Sequence, residues 1–62
     1  MTTAELKILE DAANNRTYKE TAAALNTSEA VIKNRACAVF KELGVNTKSG
    51  AVAAAMRREL IK

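Results

Sequence analysis

The chain has no proline, no histidine and no tryptophan, and only one cysteine, two glycines, one tyrosine and one phenylalanine. Each shortage closes a route. Without histidine neither a Ser-His-Asp nor a Cys-His pair can form, and Cys37, the sole thiol, has no partner for a disulfide or a thiolate–imidazole zinc site. Gly44 and Gly50 cannot by themselves make a glycine-rich phosphate loop. No pair of catalytic groups can be nominated, so we expect no enzyme, no metal and no cofactor. Residues 1–7 lack the basic start and apolar run of a secretory signal, and no stretch approaches the ~18 apolar residues that cross a membrane. A cytoplasmic protein without membrane contact is the expectation, and a single free thiol is compatible with that reducing compartment.

What remains is 62 residues of 6.7 kDa, one domain over 1–62. Met1 directly before the first helix cap fits a complete small protein. A domain of this size buries only about 60% of the surface its unfolded chain exposes, so with metal and disulfide excluded, self-association is the remaining source of stability. Charge points to a polyanion: ten Lys and Arg against seven Asp and Glu give +3 and a pI near 9.4. The excess is uneven. Residues 1–27 hold three basic and four acidic groups, net −1; residues 28–62 hold seven and three, net +4.

Few strand formers, no proline and frequent alanine predict an all-α fold. Thr2 with Glu5 has the spacing of a capping box and opens a first helix over 3–13, with Leu6, Leu9 and Ala13 at helical spacing and a left-handed stop at Asn14 and Asn15. Thr17 with Glu20 repeats the box and opens a second over 18–25. After Asn26 and Thr27, Ser28 caps a third over 29–43, whose apolar stripe is Val31, Ile32, Ala36, Val39, Phe40 and Leu43. Gly44 ends it, with Val45 folding back. Asn46 or Thr47 caps a fourth over 48–59, with Val52, Ala55 and Glu59 or Leu60 on its stripe. Gly50 inside that helix implies a late start or tight backbone packing.

A short helix, a tight turn and a longer basic helix describe a helix-turn-helix, in which the second helix enters the DNA major groove. Opposite the stripe, the third helix carries Ala30, Lys33, Asn34, Cys37, Ala38 and Lys41. Lysines neutralise phosphates or donate to guanine, asparagine pairs with adenine, and the small Ala30 and Cys37 admit a thymine methyl. The competing reading is a solvated helix face, with Cys37 a small packing residue and Tyr18 and Phe40 core aromatics rather than base-stacking platforms.

The ordered residues resemble the LuxR/GerE-type helix-turn-helix family, without gaps over nearly all of the chain. Glu5 and Ile8-Leu9 match its first helix; Tyr18-Lys19-Glu20-Thr21-Ala22 and Leu25 match its second; and Ser28, Val31-Ile32-Lys33, Arg35, Val39, Leu43-Gly44-Val45 and Ala51-Val52 match the remainder. The resemblance implies a four-helix DNA-binding domain of a transcription regulator, with helix three reading double-stranded DNA and helix four pairing a homodimer. It implies base contacts from Lys33, Asn34 and Cys37, and phosphate contacts from Lys19 and the cap near Ser28. The chain departs from the family at Ala4, where a basic residue is usual; at Asn15 for Gly; at Thr21 and Thr27 for buried Ile; at Val31 for Thr; and at Arg35 for His. Thr21 and Thr27 are therefore expected to thin the core, and Arg35 to restore a backbone contact.

Helix four is apolar all round from Ala51 to Met56, which implies two covered faces. With Val52 and Ala55 in the core, Ala53, Ala54 and Met56, together with Arg57, are assigned to a two-fold dimer interface. An alternative of another class is a small interaction module of the same fold that sequesters another regulatory protein without binding DNA. An alanine surface chosen only for helix propensity is the plainer reading of helix four.

Overall fold

The computed structural model describes residues 1–61. It contains four α-helices and, among the described residues, no strand: α1 Thr3–Ala13, α2 Tyr18–Ala24, α3 Glu29–Leu43 and α4 Lys48–Arg57. Every helix begins the same way. The hydroxyls of Thr2, Thr17, Ser28 and Thr47 accept the backbone N–H three residues on, satisfying one of the free donors at each helix start. In α1 and α2 the carboxylates of Glu5 and Glu20 reach back to the N–H groups of Thr2 and Thr17, both at 2.9 Å. Those N–H bonds come first among the causes that hold both carboxyls below their ordinary value of 4.5.

Every helix also ends the same way. Asn15, Asn26, Gly44 and Glu59 take the left-handed conformation, with φ of 59°, 56°, 72° and 58°. The residue after each donates its N–H five positions back: Arg16 to Asp11, Thr27 to Ala22, Val45 to Phe40 and Leu60 to Ala55, at 2.8–2.9 Å. The stop at Glu59 shortens α4 by two residues against the sequence expectation. It also turns Leu60 and Ile61 back onto the body, so that Ile61 is buried.

Two groups of apolar side chains make the core. Ile8, Ala22, Ile32 and Ala36 join α1, α2 and α3, with Tyr18 and Leu25 against them. Leu9, Val39, Leu43, Ala51, Ala54, Ala55 and Ile61 join α1, α3 and α4, and Phe40 touches both groups. The alanines of α4 let that helix approach closely. Ala51, Ala54 and Ala55 are 1%, 3% and 0% exposed. Ala54 thus belongs to the subunit core and is unavailable to a dimer surface, because α4 lies against both α1 and α3 and so has two of its rows covered. Gly50 follows the tight-packing reading: a Cβ there would meet Thr47 Oγ1 at 2.9 Å and Val45 Cβ at 3.4 Å.

Of the two threonines expected to thin the core, only Thr21 lies in it, 1% exposed; Thr27 is exposed. The hydroxyl of Thr21 donates to Oδ2 of Asp11 at 2.8 Å, and Lys7 Nζ lies 3.0 Å from Oδ1 of the same carboxylate. Burial opposes ionisation of Asp11, yet the Thr21 hydroxyl and Lys7 outweigh it and hold the carboxyl below its ordinary 3.8. A polar tie therefore joins α1 and α2 at a buried position.

Candidate nucleic-acid interface

The buried positions of α3, Ile32, Ala36, Val39 and Leu43, fix its inward direction, and at 100° per residue Asn34 and Lys41 lie opposite. Ala30, Lys33, Asn34, Cys37, Ala38 and Lys41 are all exposed, forming one continuous outer surface. Val31 does not belong to the apolar stripe. It is 39% exposed, because its side chain falls on the flank where Leu25, Thr27 and Ala4 form a shallow groove rather than a lid.

Arg35 lies on that same flank and lines the groove with Thr2 and Ala4. Its charge adds the smallest of several contributions to the lowering of the Glu5 carboxyl, which comes first from the Thr2 N–H bond. Cys37 occupies the other flank. It is exposed and unpaired, while burial is the main cause that raises the pKa of the Tyr18 hydroxyl. Lys19 is exposed at the second position of α2.

The starts of the helices are not equivalent. Glu5 and Glu20 occupy the free N–H groups of Thr2 and Thr17, but the third residue after Ser28 is Val31, which carries no acceptor. Ser28 Oγ accepts from the Val31 N–H at 3.2 Å, and the N–H groups of Glu29 and Ala30, in the first turn at the positive end of the helix, have no helical acceptor. That end can take a phosphate through backbone donors and through the Ser28 O–H, which accepts from Val31 but still has its own hydrogen to donate.

Two features escape a reading of the sequence alone. Lys48 donates to the carbonyl of Arg16 at 3.1 Å and stands 4.7 Å from the centre of the Tyr18 ring, fastening α4 to the α1–α2 turn. Tyr18 is thereby a packing group, half-buried. The Lys7–Asp11–Thr21 tie is the other. Its only local signal is the i,i+4 spacing of Lys7 and Asp11.

On α4, Ala53 and Met56 are exposed, Met56 at 47%, and Arg57 is exposed about 100° further round the helix than Met56. Among the described residues no group of acidic, Cys or His side chains is arranged to hold a metal ion, and no helix is long and apolar enough to cross a membrane. No family model matches the chain, and neither a curated protein nor a solved structure is significantly similar to it.

Proposed function

We propose that the chain is a sequence-specific DNA-binding transcription regulator in which α3 enters the major groove, as the LuxR/GerE-like order of its residues implies. The observation that carries this reading is the outer face of α3. Six outward positions at helical spacing, with Lys33, Asn34 and Lys41 among small residues, are exposed. Lys33 and Asn34 are assigned to base edges, Lys41 and Lys19 to phosphates, and the open backbone donors of Glu29 and Ala30 to a further phosphate. Two subunits, paired through α4 at Ala53, Met56 and Arg57, would present two such helices about 34 to 36 Å apart. Titration of mixed-sequence and selected duplexes at several salt concentrations tests it, since each phosphate contact contributes roughly −0.9 to the log–log slope.

A second reading has its own support. The exposed charges of α3 are Lys33, Arg35 and Lys41 against Glu29 and Glu42, a net of only +1. A module that captures another regulator would need no stronger field. Capture of a protein partner without salt-sensitive duplex binding would decide for that reading.

A further inference from the structure

A groove runs between α1 and α4 from a basic end to an acidic one. At the first end stand Arg16 and Lys48; Ala12, Ala13, Val52 and Ala53 make an apolar floor; and Met56 rises beside it. Past Met56 and Ala13, which line both halves, the groove continues to Glu10, Leu60 and Ile61. The two helices run in opposite directions along it, since Arg16 shares one end with Lys48 and Glu10 the other with Leu60. Among the described residues neither Glu10 nor Arg16 has an ion-pair partner within the subunit.

We infer that a second copy of this chain occupies this groove about a two-fold axis at Met56, with Glu10 of each subunit paired to Arg16 of the other. The arrangement is self-complementary. A two-fold normal to the groove lays the basic end of one copy over the acidic end of its partner, and any contact made once is made twice. Met56 packs on its own copy at the axis, and Ala13 and Ala53 let the helices approach. Lys48 is held by the Arg16 carbonyl and the Tyr18 ring, so among the described residues lining that end Arg16 is the cation without such a partner. The inference rests on the pairing proposed above but assigns it a surface shared by α1 and α4 rather than by α4 alone.

Sedimentation of the parent chain and of Glu10→Lys and Arg16→Glu, separately and mixed, tests it, with circular dichroism as the check on folding. Both residues are exposed, so the variants should keep their helicity. Each variant alone sets like charges against each other twice and should weaken dimerisation at least tenfold. An equimolar mixture restores both pairs and should dimerise as tightly as the parent. Variants that dimerise like the parent, or a mixture no better than its components, would overturn the groove while leaving pairing through α4 intact. A parent chain monomeric at high micromolar concentration would overturn both, and DNA binding by Glu10→Lys to a single half-site would show that the DNA reading stands apart from either.

Discussion

The hydroxyl of Thr21, on α2, donates to the carboxylate of Asp11, on α1, across 2.8 Å of an interior where the two residues are 1% and 3% exposed. This bond ties α2 to α1, and α2 in turn packs on α3 through Ala22 and Ile32. The exposed face of α3 is thus held by a polar bond in the place where an aliphatic contact would be expected.

Thr21→Val keeps the shape and removes the donor. It should cost about 1 to 3 kcal/mol, the price of leaving a buried charged acceptor short of a partner. Combining it with Asp11→Leu should cost less than the sum of the two single changes, because neither partner is then left unpaired. Urea denaturation of the four proteins gives the coupling; strict additivity would show that the bond is incidental.

Acid should loosen the same region. Asp11, Glu5 and Glu20 all have carboxyls lowered by folding, so the folded chain binds fewer protons than the unfolded one as the pH falls. Their contribution is whole above the ordinary values of 3.8 and 4.5 and is lost as the pH drops through the lower folded-state values. Thermal melts should therefore change little from pH 7 to 5 and fall steeply below about pH 4. In Glu20→Gln the fall should be shallower.

The four left-handed residues differ in what they tolerate. Glu59 holds φ of 58° with a full side chain, a conformation that costs a residue other than glycine about 1 kcal/mol or more. Glu59→Gly should stabilise by about 0.5 to 1 kcal/mol and raise the melting temperature by a few degrees. Gly44→Ala should lower it by a similar amount, for conformational reasons alone, because nothing lies within 4 Å of the added methyl. Equal melting temperatures for parent and Glu59→Gly would show that the C-terminal turn carries no strain.

The division of roles on the DNA face predicts unequal mutants. Lys33→Ala should cost ~1 to 3 kcal/mol on a selected site and relax its sequence preference, while Lys19→Ala should weaken all duplexes alike and reduce the salt slope by about 1. Anisotropy titrations on selected and scrambled duplexes separate the two; identical losses for both variants would refute the assignment.

The helices themselves were legible because their signals are local. Thr2, Thr17, Ser28 and Thr47 are side chains that cap within three residues, and Asn15, Asn26 and Gly44 are the residue types that accept a positive φ. The end of α4 was not, because Glu59 has no preference for that conformation and is set there by the docking of Ile61. Ala54 was misplaced for a related reason. On a helix that is alanine nearly all round, periodicity cannot tell which rows are covered; only the packing of α4 against both α1 and α3 decides, and it buries Ala54. Ala53→Asp is consequently the clean probe of pairing through α4, whereas Ala54→Asp would place a charge in the core. Of the candidate DNA face, the exposure of Lys33, Asn34, Cys37 and Lys41 followed from the stripe opposite them. The groove that Arg35 shares with Thr2 and Ala4 and the tie from Lys48 to Arg16 depend on contacts between distant parts of the chain.

The most direct test is a salt titration of the parent protein against duplexes selected from a random pool. The account predicts retention of a preferred sequence with log affinity falling linearly with log salt concentration, at a slope that shallows when Lys19 or Lys41 is removed. Binding that is undetectable at low salt, or that does not change between about 50 and 200 mM salt, would contradict it.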